Sequence, residues 1–261
     1  FTLGAYHGGG TDYYFSGSLD DYRIYNRALS AAEVTSLYNM NSASQVNTTL
    51  IAADADVSYF IPGDNSLGDT WQQPGFDDSS WTEVPQPLGF ESSGGTLEPL
   101  VTTNIRADIR GVNAGGYFRF PFRVNTAGST VLSATLNVTI DDGYVAYLNG
   151  VEVARLNAPT PVNWNSRATG SRSDSTVAST KLTTDISAHL DAIADGENIL
   201  AIQAMNTSVS GSDFLLGVEL TAVEQRPEPG SISLNPGDAV ADALGEELTF
   251  EVAADEGTEW S

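Results

Sequence analysis

Asn149-Gly150 stands between two runs rich in β-branched and aromatic residues, Tyr144 to Leu148 and Val151 to Arg155. A two-residue connection of this kind takes the positive φ of a type I′ turn, whose twist matches that of paired antiparallel strands. The stretch therefore predicts a β-hairpin. Just upstream, Asp141-Asp142-Gly143 interrupts Thr135 to Ile140, itself a strand-like run. Glycine reaches backbone angles closed to other residues, and aspartates can hydrogen-bond to the amides of a bend. Residues 138–155 thus predict an all-β domain with its centre here.

The rest of the chain fits around that hairpin. Strands are predicted near 50–60, 116–124, 132–140, 198–206 and 214–223. Asp77 to Trp81 reads as a helical turn with Trp81 in the core, and Trp71 is assigned to the core as well. Glu91 to Gly116, rich in Gly, Thr and Asn, reads as a surface excursion, and Asn157 to Thr180 as a polar loop. Asp185 to Ala194 fits a short helix with Ile186, Leu190 and Ile193 on one face, closed by Gly196. Residues 41–49 and 226–230 read as linkers. Before the first linker, residues 1–40 form a separate unit. It has a strand, a Gly-Ser turn and a strand, then a helix to about Tyr38 opened by a Ser30/Glu33 capping box. Too short to close a sandwich alone, it is expected to leave a sheet edge or pack on a neighbour. Residues 231–261 read as the start of a further β module of immunoglobulin-like type, with Glu247 to Val252 as a strand. Both ends look cut from a longer polypeptide.

Several motifs in order resemble the galactose-binding-domain-like jelly roll, in the version repeated in large secreted proteins of marine and environmental bacteria. They are Phe76-Asp-Asp-Ser-Ser-Trp81 with Pro87-Leu-Gly-Phe90, Tyr117-Phe-Arg-Phe120 with Phe122, and Asp141-Asp-Gly143 with Tyr147-Leu-Asn-Gly150 and Val153-Ala-Arg155. Gly196-Glu-Asn-Ile-Leu-Ala201 and Ser212-Asp-Phe214 follow. The resemblance covers about residues 50–225 and implies an antiparallel β-sandwich with short helices. It fixes the fold better than the function, since such frameworks carry different ligands or none. Phe15 to Val34 resembles the C-terminal end of a laminin-G-like, concanavalin A-like jelly roll, and no site is carried over from it.

Composition narrows the function. The chain has 34 acidic and 11 basic residues, for a net charge of −23, and Lys181 is its one lysine. Such a field repels nucleic acid and anionic membranes. It suits a soluble secreted protein in a saline setting, where ions screen the self-repulsion. No run approaches the roughly 20 apolar residues of a membrane-spanning helix. With no cysteine there are no disulfides, thiolate nucleophiles or Cys-based zinc sites. His7 and His189 are the only histidines, and they fall in different domains. There is no nucleophile elbow, phosphate loop or His-Glu-x-x-His motif. Acidic pairs are plentiful, but none is marked out as an opposed pair across a cleft. A non-enzyme is expected. The triplets at Asn47, Asn137 and Asn206 fit the glycosylation pattern and are read as chance in a bacterial protein.

Two candidate sites remain. The loop Asn163-Trp164-Asn165 with Arg167 and Arg172 could stack an indole on a pyranose while Asn and Arg donate to hydroxyls, carboxylates or sulfates. Alternatively, Trp164 folds back to cap the sandwich. The loop 91–116, with Arg106 and Arg110, is the next location for a glycan. Asp213 could pair with Arg155, or join Asp54 and Asp56 at a structural calcium site where first and last strands meet, as the resemblance implies. Asp141 and Asp142 are read as braces of the bend ahead of calcium ligands. The favoured function is a non-catalytic carbohydrate-binding region of a large extracellular bacterial protein, with polysaccharide and the protein's neighbouring domains as partners. The alternatives are a calcium-stiffened spacer or adhesin repeat, and an accessory module of a polysaccharide-degrading enzyme.

Overall fold

Side-chain alternation decides which face each strand turns inward. In β9 (Thr130–Asp141) Ala134, Leu136, Val138 and Ile140 are buried, and the residues between them are half-covered. β14 (Asp213–Arg226) turns Phe214, Leu216, Val218 and Leu220 to the core in the same way, and Leu215 on its other face is buried as well. β8 (Gly115–Val124) and β13 (Gly196–Met205) bury residues of both parities, so both of their faces are covered.

The computed structural model describes residues 44–92, 94–125 and 129–226, residues 25 and 27–30, and the backbone of four short strands near the ends. The chain divides into two units, Ala43–Glu228 and the two end segments together, Phe1–Ser42 with Pro229–Ser261. In the end unit β1 (Ala5–Gly8) pairs with β2 (Thr11–Tyr14), and β15 (Val252–Ala253) with β16 (Glu259–Trp260). The expected helix to Tyr38 and the strand 247–252 lie essentially outside the described residues.

Unit 43–228 is a sandwich of two six-stranded sheets. The remaining strands are β3 (Ser44–Ile51), β4 (Asp56–Phe60), β5 (Thr82–Pro85), β6 (Leu88–Glu91), β7 (Thr103–Asn104), β10 (Gly143–Leu148), β11 (Val151–Leu156) and β12 (Leu182–Asp185). One sheet runs β11-β10-β13-β8-β4-β5; the other runs β12-β9-β14-β6-β7, with β3 also on β14. Every pairing is antiparallel except β6 with β7. The core lies between them, and Phe118 of one sheet stacks on Phe214 of the other at 6.0 Å between centroids. Gln86 stitches the seam: its side-chain amide accepts from the Val218 amide and donates to the carbonyls of Val218 and Ala52.

The predicted hairpin is β10 and β11, with positive φ at both Asn149 (49°) and Gly150 (87°), as a type I′ turn requires. Asp141-Asp142-Gly143 is where the chain leaves one sheet for the other, from β9 to β10. Gly143 is absent from the positive-φ positions. It is needed for space, because a Cβ there would sit 2.8 Å from the Asn157 carbonyl oxygen and 3.0 Å from the Ala168 methyl.

Several expectations are corrected. Most of 41–49, read as a linker, is β3, in which half-covered Val46, Thr48 and Leu50 alternate with exposed Gln45, Asn47 and Thr49 along the β14 edge. The polar loop 157–180 ends in a helix, α2 (Asp174–Ser179), which docks Val177 on Leu97 and Leu215. The excursion 91–116 holds α1 (Arg106–Ile109) and buries Leu97, Ile105 and Ile109. Asp77 to Trp81 is a turn without helix, in which the Asp77 carboxylate accepts the Ser79 amide and the Asp78 carbonyl accepts that of Trp81. Trp71 is buried as expected, in a core layer with Tyr117 on the outer face of one sheet, and Trp81 packs half-buried on that layer with Phe76 and Tyr147. The helix at 185–194 is a 3-10 segment, Ser187–Ala192, preceded by buried Ile186 and followed by Gly196 at φ 88°.

Candidate functional site

On β9, β14 and β6 the residues facing away from the core include a group of acids. Asp213 lies directly opposite Glu91 in the β14–β6 register. Asp141 lies opposite Leu215, two residues along β14 on the same face. Asp174, the first residue of α2, completes the group from above, and single carboxylate oxygens of Glu91, Asp174 and Asp213 lie within 4.8 Å of one another. Asp141 is 2% exposed, and its Oδ2 has no hydrogen-bond partner. Burial, followed by the neighbouring charges of Asp142 and Asp213, pushes the Asp141 carboxyl well above the usual carboxylate range.

Asp142 differs from its neighbour. Its carboxylate accepts from the amides of Arg172 (2.8 Å) and Thr207 (3.0 Å), which ties the crossover to two loops. It braces the bend as aspartates do. Arg172 is occupied as well, donating from its guanidinium to the Ile140 carbonyl at 2.6 Å.

Among the expected carbohydrate contacts, Trp164 is half-buried and packs on the layer of Trp71 and Tyr117, rings that stack 4.1 Å apart at 8°. Its carbonyl accepts from Asn113, and the Asn163 carbonyl accepts from Gln203, so the loop is fastened across the sheet face. Asn163, Asn165 and Arg167 are exposed, whereas Arg172 is turned into the crossover. Arg155 pairs with Glu152 instead of Asp213. Asp54 is exposed just before β4 and Asp56 is its exposed first residue, whereas Asp213 gathers with Glu91 and Asp174.

An open depression of about 400 Å³ is lined by Asn104, Arg106, Ala107 and Arg110. Asn104 Oδ1 accepts the Arg106 amide, which starts α1, and Arg110 Nε donates to the Gly211 carbonyl at 2.9 Å. Arg106 and Arg110 are one helical turn apart, and both are exposed. A second cavity, about 10 Å³ beside Phe90 and Phe214, is too small for a ligand.

No family model matches the chain, and no curated protein matches it either. Solved structures similar to it include a calcium-binding mutant of Bacteroides uniformis β-glucuronidase 2, at 16% identity and a TM-score of 0.41 over 69% of this chain and 18% of that one. A glycosyl hydrolase family 2 member from Bacteroides cellulosilyticus is similar at 16% identity and 0.39, over 68% and 20%. An uncultured Clostridium sp. β-glucuronidase follows at 14% identity and 0.41, over 72% and 30%. The chain thus spans less than a third of the length of each of these proteins.

Sequence reasoning passed over Glu91 and Asp174. Glu91 sits in a loop-like Glu-Ser-Ser-Gly-Gly run, and Asp174 in a segment with no helical periodicity. The one available signal was the register: a strand ending at Glu91 and another starting at Asp213 would pair the two acids.

Proposed function

We propose that the sandwich is a non-catalytic carbohydrate-binding module of an extracellular protein, and that it takes a glycan bearing carboxylates or sulfates at the depression of Asn104, Arg106 and Arg110. The observation that carries this reading is the placement of two exposed guanidiniums in one open depression on a chain with only 11 basic residues against 34 acidic ones. A guanidinium presents a planar fork that matches a carboxylate or sulfate. In saline medium the Debye length is about 8 Å, so the overall negative field is screened while contacts at hydrogen-bond distance persist. The bond from Arg110 to Gly211 fixes one fork, and the Asn104 amide can serve a ring hydroxyl.

Affinity electrophoresis through polygalacturonate and through a sulfated galactan tests this. Retardation of the wild-type chain with a Kd in the micromolar to millimolar range is expected, about −8 to −4 kcal/mol. Arg106→Ala should weaken it by about tenfold or more, about 1.4 kcal/mol. Trp164→Ala should leave it within about twofold, since that ring packs on the protein. Unretarded wild type, or binding that ignores Arg106→Ala and Arg110→Ala, would overturn the proposal. Loss through Trp164→Ala alone would return the site to the 163–172 loop.

A further inference from the structure

We propose that Glu91, Asp141, Asp174 and Asp213 form a calcium site that joins β6, β9, β14 and α2 on the outer face of one sheet. It is independent of the glycan reading. Three observations converge. Like charges directly opposite on paired strands repel, yet Glu91 and Asp213 occupy such a pair. Asp141 adds a third carboxylate from the adjacent strand, and its Oδ2 is buried with no donor to it among the described residues, beside the carboxyl groups of Asp142 and Asp213. Leaving such an oxygen unpaired is costly, and a cation would satisfy it. Asp174 closes the set from the helix above.

The chemistry selects the ion. Ca²⁺ takes oxygen ligands at about 2.3–2.6 Å, so two ligands on opposite sides stand roughly 5 Å apart. The oxygens of Glu91, Asp174 and Asp213 already lie within 4.8 Å of one another. A set made of carboxylates alone, with no imidazole or thiolate, suits a hard cation. Mg²⁺ demands a tighter octahedron and gives up its waters reluctantly, whereas Ca²⁺ accepts irregular, carboxylate-rich sets. Arg172 sends its guanidinium to the Ile140 carbonyl and its amide to Asp142. Asp142 stays outside the ligand set because both its oxygens are taken by amides.

Calorimetric titration of the chelator-treated 261-residue chain with CaCl₂, followed by thermal melts, decides the matter. One saturable site per chain and a rise in Tm are expected, with Mg²⁺ much weaker at equal concentration. Asp141→Asn and Asp213→Asn should each weaken Ca²⁺ binding by at least about tenfold. Without calcium, Asp141→Asn should melt at or above the wild-type temperature, because the amide keeps the shape and replaces a buried carboxyl whose ionisation burial and its acidic neighbours already oppose. Asp54→Asn and Asp56→Asn, at exposed carboxylates at the start of β4, should bind as wild type. Absent saturation at millimolar Ca²⁺, an equal response to Mg²⁺, or wild-type binding by both Asp141→Asn and Asp213→Asn would each overturn the proposal. If Asp141→Asn fails to fold, Asp213→Asn carries the comparison.

Discussion

A single buried charge organises one whole side of the sandwich. Arg119 is 2% exposed in the middle of β8, where the sequence Tyr-Phe-Arg-Phe gives no hint of a partner. Its guanidinium pairs with Asp78 at 2.8 Å and lies 5.1 Å over the Phe76 ring. It also donates to the carbonyls of Trp71, Gln73 and Phe76. The loop between β4 and β5 is thus folded around one side chain that supplies the donors its backbone lacks. Arg119→Met keeps the bulk and removes all of them. A buried pair broken on one side leaves the other group uncompensated, so a loss of about 3 kcal/mol or more is expected from denaturant melts. A change within about 0.5 kcal/mol, the range of an ordinary surface substitution, would show that water replaces the guanidinium.

Among the elements, the β10–β11 hairpin was the most legible, because its turn chemistry is local. Its tertiary role was not. Beyond shaping the turn, Asn149 donates to the Ala192 carbonyl and to Asn198 Oδ1, while its own Oδ1 accepts the Ile199 amide. The turn is therefore locked to the start of β13. Gly150→Val places a β-branched residue at a φ of 87° and its Cβ against the Gln73 side chain. The expected cost is about 1–3 kcal/mol in thermal or urea melts. An unchanged melting temperature would mean that the turn relaxes to another type. β3 and α2 show the opposite case. Each is largely polar, and each exists because a neighbour offers it an edge or a patch: β14 for β3, and Leu97 with Leu215 for Val177.

For the whole molecule, the two faces of one sheet share a response to alkali. Tyr59, Tyr117 and Tyr147 are each pushed up to about 12 from an ordinary value near 10, chiefly by burial. For Tyr59 the hydrogen bond it donates to Asp108 adds to the rise, and for Tyr117 the charge of Asp69 does. A raised folded value means the native state holds its phenolic protons after the unfolded chain has released them. This contribution to stability is complete below pH 10 and is lost as pH climbs toward 12. Phenolate absorbance near 295 nm should show these tyrosines ionising about two units late, with unfolding free energy falling across the same interval. Titration of every described tyrosine near pH 10 in the folded protein would refute that picture.

Local chemistry in the sequence determined the all-β class, the hairpin and its two-residue turn, and the strands on both sides of the core, but not the register shift between Ala146 and Tyr147 inside the hairpin. Turn propensity and side-chain alternation act over a few residues, so they can be read without the fold. The charge of −23 likewise set what surface this chain presents. Only tertiary structure decided which acids meet, because Glu91, Asp141, Asp174 and Asp213 come from four separate segments brought together by strand order and the docking of α2. It also decided that Trp164 packs on an aromatic layer and that Arg119 is buried. A lone loop tryptophan and a mid-strand arginine carry no local mark of their partners. Their roles are set by groups dozens of residues away, whose approach depends on the packed sandwich.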